Sequence, residues 1–134
     1  VDDYGHHPTE IVSTLRGLRQ RFPSRRIITV FQPHQYSRTR FLLKDFAASF
    51  TLADEVIVPD IYFVRDTETE KYLVNSEILV NRILENGTMA KYIKDFDSIV
   101  AYLAKNVKPG SLVLTIGAGP IYEVGLKLKE ALTQ

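Results

Sequence analysis

Three short stretches hold most of the side chains in this chain that could do chemistry. Asp2-Asp3-Tyr4-Gly5-His6-His7-Pro8-Thr9 sets two acids, a phenol and two imidazoles immediately ahead of a helix-starting proline. Gln32-Pro33-His34-Gln35-Tyr36-Ser37-Arg38-Thr39-Arg40 adds His34, the last of the histidines, and two arginines. Gly117-Ala118-Gly119 carries no functional side chain but lets a ligand come close to the backbone. A carboxylate accepts two or more hydrogen bonds, an imidazole donates or accepts near neutral pH, and a guanidinium grips a carboxylate or phosphate with a fork of donors. Such a set suits the binding and orientation of a small charged ligand.

Each residue also has a structural reading. Asp3 lies ahead of a helix, where an acid often serves as a cap or a partner of the helix dipole. His7 reads as solvent-facing. Arg38 and Arg40 fall at the start of a helix, where they oppose the macrodipole, so another gain must hold them there, such as a bound carboxylate or phosphate. Gly117-Ala118-Gly119 meets the first half of the dinucleotide fingerprint, but Tyr122 stands where its third glycine would be. Asp2, Asp3, His6, His7 and His34 are metal-ligand types. Adjacent residues such as His6 and His7 rarely face one centre, however, and no metal site is expected.

The elements that must position these stretches follow from hydrophobic spacing. Ile11, Val12, Leu15, Leu18 and Phe22 recur at helical intervals behind the first stretch. Residues 26–31, 55–59 and 111–116 read as buried strands, with a minor edge strand at 90–93. Residues 37–50 read as one helix with Ser37 as N-cap, and 60–74, with four acids, as an exposed excursion. Further helices are expected at 76–84, capped by Asn75 or Ser76, at 95–104, and from Pro120 through Leu132. Strands alternating with helices predict an α/β fold: a Rossmann-like, mostly parallel sheet with helices on both faces. All three chemical stretches follow strands, so a parallel sheet would bring them to one edge, where ligands bind in such folds.

With 134 residues, 45 % hydrophobic and 25 % charged, the chain has the balance of one globular domain. A formal net charge of +1 gives no electrostatic case for nucleic acid or an anionic membrane. There is no cysteine, which excludes disulfides and thiolate chemistry. No run approaches the roughly 20 apolar residues that span a bilayer, and a cytoplasmic protein is the expectation. The chemical motif follows Val1 almost at once, so residues 1–134 read as a single domain cut from a longer polypeptide.

The stretches Asp2-Asp3-Tyr4-Gly5-His6-His7-Pro8-Thr9-Glu10 and Phe31-Gln32-Pro33-His34-Gln35-Tyr36-Ser37-Arg38-Thr39-Arg40 resemble two signatures of the Mur ligase family. Their form is similar to that of the members joining L-alanine to UDP-N-acetylmuramate in peptidoglycan precursor synthesis. Leu114-Thr115-Ile116-Gly117-Ala118-Gly119 is similar to the family's last strand and turn, and Val58-Pro59-Asp60-Ile61-Tyr62 to the segment after its third strand. The resemblance runs along the whole chain but covers only the C-terminal domain. No Gly-x-x-x-x-Gly-Lys-Ser/Thr of the central ATPase domain is present.

The resemblance implies an ATP- and Mg2+-dependent ligation through an acyl phosphate, with UDP-N-acetylmuramate and L-alanine as substrates. Catalysis is shared with N-terminal and central domains of the same polypeptide, so this domain alone is expected to be inactive. By the same resemblance, Asp3 would bind the ATP ribose hydroxyls. Tyr4, His6, His34, Arg38, Gly117, Ala118 and Gly119 would face the alanine or the nascent amide. Two positions depart from the family: Gln35 replaces a common Arg, and Pro120 replaces an acid or Asn. Three other readings stay open: the related ligase that recycles murein peptides, a stand-alone Rossmann-like nucleotide-binding module, and a metal hydrolase centred on the histidines.

Overall fold

The short apolar runs pair into one five-stranded, all-parallel sheet, as seen in a computed structural model that describes residues 1–133. In chain order the elements are β1 (Asp2–Asp3), α1 (Pro8–Arg21), β2 (Ile27–Phe31), α2 (Tyr36–Phe41), α3 (Leu43–Ala48), β3 (Glu55–Val58), a short 3-10 helix (Glu68–Tyr72), α4 (Ser76–Glu85), β4 (Met89–Tyr92), α5 (Phe96–Asn106), β5 (Leu112–Ile116) and α6 (Tyr122–Leu132). The strands lie in the order β1-β5-β2-β3-β4. β4 is the expected edge strand, in register with β3 from Glu55 opposite Met89.

Strand alternation divides the core in two. Phe31, Val56, Val58, Leu114 and Ile116 face Ile11 and Leu15 of α1, Phe46 of α3 and Leu79 and Ile83 of α4. Ile28, Val30 and Ile57 face Ile99 and Leu103 of α5 and Val124 and Leu128 of α6. Both faces of the sheet are therefore covered, which is why β2 and β3 read as continuous apolar runs rather than alternating ones. The fold is the α/β sheet that the sequence predicts.

Three expectations change. The helix over 37–50 is two helices, broken at Leu42 (φ −105°, ψ 19°) without a Pro or Gly to mark it. Its halves answer to different partners: α3 turns Phe46 and Ala47 into the core, whereas α2 is held by residues 60–74. Ser37 is not the cap. The N-cap is Gln35, which makes no side-chain capping bond, and the Asp66 carboxylate accepts instead from Tyr36 N–H at 2.7 Å and Ser37 N–H at 3.0 Å. Residues 60–74 are thus more than an exposed excursion, since Ile61 and Val74 are buried and Asp66 supplies a missing helix cap.

Candidate functional site

β1, β2 and β5 end level with one another, because Asp3 and Phe31 are both register partners of Ile116. The turns that follow them start side by side. Their helices then diverge, α1 and α3 to one face and α6 to the other, which is the arrangement that opens a crevice at the carboxyl edge of a parallel sheet. A cleft of about 650 Å³ lies there, lined by Asp3, Tyr4, His34, Gly117, Ala118 and Gly119, with Tyr62, Val64 and Arg65 contributed by the segment after β3. That volume is in the range of small-molecule sites.

The first turn is shaped by its own residues. Asp3 Oδ1 accepts from Gly5 N–H at 2.6 Å and Oδ2 from the Thr14 hydroxyl at 2.8 Å. A Cβ at residue 5 would lie 2.9 Å from Asp3 Oδ1, so any larger residue there would force this carboxylate to shift. His7 is not simply solvent-facing. It is the N-cap of α1, its Nδ1 accepting from Thr9 N–H at 3.2 Å, while Glu10 Oε1 accepts from His7 N–H at 3.1 Å to complete a capping box. Tyr4 is 72 % exposed at the mouth of the cleft, its ring edge-on to His6 with centroids 6.1 Å apart. The buried Nδ1 of His6 has no hydrogen-bond partner among the described residues and lies 3.8 Å from the Glu10 carboxylate.

The second turn depends on the segment after β3. His34 and Tyr62 form an isolated parallel bridge, in which Tyr62 N–H donates to Pro33 O and Gln35 N–H to Tyr62 O, both at 2.8 Å. Their rings lie 5.2 Å apart and tilted. Burial, reinforced by the Arg38 and Arg65 guanidiniums and by His6, holds the His34 imidazole below its ordinary pKa. It is therefore neutral at physiological pH and can both donate and accept. The two arginines separate. Arg40 makes a two-bond fork onto Glu70 at 3.0 and 3.1 Å, while half-buried Arg38 has no ion pair among the described residues.

The third turn is built for close approach. Gly117 N–H donates to Asp3 O at 3.0 Å, tying it to the first turn. A Cβ at Gly117 would come 3.0 Å from Gln32 O, and one at Gly119 would meet the Tyr62 ring at 3.3 Å and Gln32 Oε1 at 3.4 Å.

Of the residues expected at the site, Asp3, Tyr4, His34, Gly117, Ala118 and Gly119 line the cleft. His6 and Arg38 do not line it but stand close enough to His34 to depress its pKa. No group of three or more His, Asp or Glu converges as a ligand set among the described residues. His7 Nδ1 is engaged by its helix, and the Asp2 carboxylate accepts from the Thr115 hydroxyl. Sequence reasoning did not assign Arg65 or Tyr62 to the site. Tyr62 lies inside a recognised stretch, whereas nothing local marks Arg65.

The family model described as Mur ligase, glutamate ligase domain matches residues 1–119. The chain belongs to the Mur ligase C-terminal domain family. It is 55 % identical over 130 residues to a protein of Caldanaerobacter subterraneus subsp. tengcongensis named UDP-N-acetylmuramate–L-alanine ligase, covering 97 % of this chain and 28 % of that relative. Among solved structures it is similar to the UDP-N-acetylmuramate–alanine ligase of Thermotoga maritima (TM-score 0.70, 25 % identity, 98 % of this chain and 26 % of that one). It also shares its fold with a murein peptide ligase of Psychrobacter arcticus (TM-score 0.78, 24 % identity, 97 % of this chain and 26 % of that one). This Mur ligase domain therefore spans about a quarter of the length of the relatives it matches.

Proposed function

We propose that residues 1–134 form the amino-acid-binding, C-terminal domain of an ATP-dependent ligase that joins L-alanine to UDP-N-acetylmuramate. The observation that carries this reading is the convergence of Asp3, His34 and Gly117–Gly119 on one cleft, in a chain 55 % identical to a ligase of that name. The murein peptide ligase shares the fold at 24 % identity, a likeness that does not separate the two substrates. The sequence relationship favours alanine.

In this reading the domain works by position. Half-buried Arg38, which stands beside the cleft near His34 and has no ion pair among the described residues, would reach in to hold the alanine carboxylate, and His34 and Tyr4 of the lining, with His6 behind them, would border its amino group and side chain. Neutral His34 adds no positive charge beside the amine, which must be unprotonated to attack. ATP with Mg2+, when bound, supplies the activation of the muramate carboxylate as an acyl phosphate. The unprotonated amine would displace phosphate from that carbonyl, giving up a proton as the amide forms.

The residues fit part of that ligand set. Each Asp3 oxygen holds one internal donor and retains a lone pair for a ribose hydroxyl. Among the described residues Asp3 is also the only carboxylate lining the cleft, so Mg2+ would be held by the phosphates and by the central domain, not by this one. Bringing alanine to the activated carboxylate would be a matter of domain closure, a gain in proximity rather than in chemistry.

Kinetics of the full polypeptide test the reading. Arg38→Ala should raise KM for alanine about tenfold or more, the loss of one charge-assisted fork, and leave KM for ATP within about twofold. Asp3→Ala should do the reverse. Equal effects of Arg38→Ala on both substrates would overturn the carboxylate role, and product formation by residues 1–134 alone would overturn the division of labour.

A further inference from the structure

Gln32 is the residue just beyond β2, only 7 % exposed, and it belongs to no element of the site as assigned so far. Four contacts meet on it. Its N–H donates to Ile116 O at 3.2 Å. Its backbone carbonyl lies 3.0 Å from where a Cβ of Gly117 would stand. Its side-chain Nε2 donates to Asp60 O at 3.3 Å. Its Oε1 lies 3.4 Å from a Cβ position at Gly119, beside the Tyr62 ring, and has no hydrogen-bond partner among the described residues.

The amide cannot be turned round. A flipped Gln32 would set Oε1 against the Asp60 carbonyl, acceptor against acceptor, so Asp60 directs Nε2 to itself and Oε1 beneath Gly119. One buried side chain thus lies between two segments that line the cleft, without lining it itself. One end lies beside the glycine turn after β5, where a Cβ at Gly119 would touch it, and the other donates to Asp60 O in the segment that brings Tyr62, Val64 and Arg65 to the cleft. An orphaned carbonyl in such a place is uncommon and calls for a reason.

We infer that Gln32 is a positioning residue that couples the Gly117–Gly119 turn to the 60–66 segment and so sets the width of the cleft. Its relevance to alanine rests on the function proposed above, but the coupling itself does not.

The substitution Gln32→Glu tests this through a proton. Ionised, the glutamate loses the donor to Asp60 O and sets a charge beneath Gly119. Protonated, it has the shape of Gln, and its O–H can donate to Asp60 O again. Burial raises the pKa of the introduced carboxyl above the ordinary range. The charged groups facing position 32 are Asp60 from the segment after β3, Lys94, Asp95 and Asp97 at the start of α5, and Lys127 of α6. Asp3 and His34 border the adjoining cleft. All are present in the parent chain, which serves as the pH control.

Backbone amide NMR of the 134-residue chain should show Gly117, Ala118, Gly119 and Tyr62 displaced together in Gln32→Glu at neutral pH and returning toward parental positions as pH falls. Gln32→Met, neutral and without donor or acceptor, should displace the same amides at every pH, and it covers the case in which the glutamate variant does not fold at neutral pH. Amides at 117–119 that match the parent in both folded variants would overturn the coupling. So would a displacement confined to the Asp60 side. In the full-length ligase, Gln32→Met should raise KM for alanine about fivefold, the worth of one neutral hydrogen bond, with kcat changed less. Displaced amides with an unchanged alanine KM would leave the coupling standing and count against this cleft as the alanine site.

Discussion

The turns after β1 and after β2 stand side by side on one edge of the sheet, and they are held by opposite means. The β1 turn is self-contained: Asp3 accepts from Gly5 two residues on, and His7 and Glu10 cap α1 from within its own first turn. The β2 turn borrows its support. Its helix is capped by Asp66, which lies 29 and 30 residues from the amides it accepts, and Arg40 reaches Glu70 across a similar separation. A local device folds with its helix, whereas a borrowed one exists only while residues 60–74 are docked. The cleft therefore has one wall set by local chemistry and one wall conditional on tertiary structure.

The largest effect should come from removing the borrowed cap. Asp66→Ala strips the acceptor from two amides at the start of α2, and its cost is expected at about 2 kcal/mol, the upper end for a helix cap. Urea unfolding measures it. Burial pushes the Asp66 carboxyl up, but the Ser37 and Tyr36 N–H groups outweigh that and hold it below its ordinary value. Its contribution is then full above the unfolded value of about 3.9 and fades as pH falls through the folded one. The variant should lose stability less steeply in acid than the parent. Asp54, which accepts from Ile27 N–H and Arg19 and is also held low, titrates unchanged in both as an internal reference. A parent and variant with parallel acid limbs would break the contrast between the two turns.

His7→Ala should cost less, about 1 kcal/mol, because Glu10 still accepts from the His6 and His7 amides when the imidazole is gone. Its effect should stay within α1, with the His34–Tyr62 pairing undisturbed in amide spectra. A loss as large as that of Asp66→Ala would show that the first turn is not self-sufficient.

This difference also explains what could be read from the chain. The strands and the outer helices are legible because their cues are local: Pro8 opens α1, Asn75 and Asp95 cap α4 and α5 with their own side chains, and Leu112–Ile116 is an apolar run. That the turns share an edge follows from parallel topology alone. The break at Leu42 and the cap on α2 were not legible, since the decisive partners, Asp66 and Glu70, are remote and look like ordinary acids in a polar stretch. The same holds in the site. Residue types identified Asp3 and His34, but the separate fates of Arg38 and Arg40 depend on which of them Glu70 can reach.

The smallest effect concerns Gln35, where the borrowed turn stores strain. Its φ of 80° with ψ of 124° is a conformation that L side chains rarely adopt, and it is held by Gln35 N–H to Tyr62 O and by Nε2 to Arg65 O at 3.1 Å. Gln35→Gly removes Cβ crowding worth about 1 kcal/mol. It also forfeits the Nε2 bond, about 1 kcal/mol, and gives the unfolded chain more freedom, about 0.5–1 kcal/mol. The sum predicts a slight net loss of about 0.5–1 kcal/mol, readable by urea unfolding. Gln35→Ala keeps the strain and forfeits the same side-chain bond, so it should be about as destabilising as the glycine variant. A glycine variant more stable than the parent would mean that backbone strain, not the side-chain tether, dominates at this position, and that the second wall is held together by the Tyr62 backbone pairing and Asp66 alone.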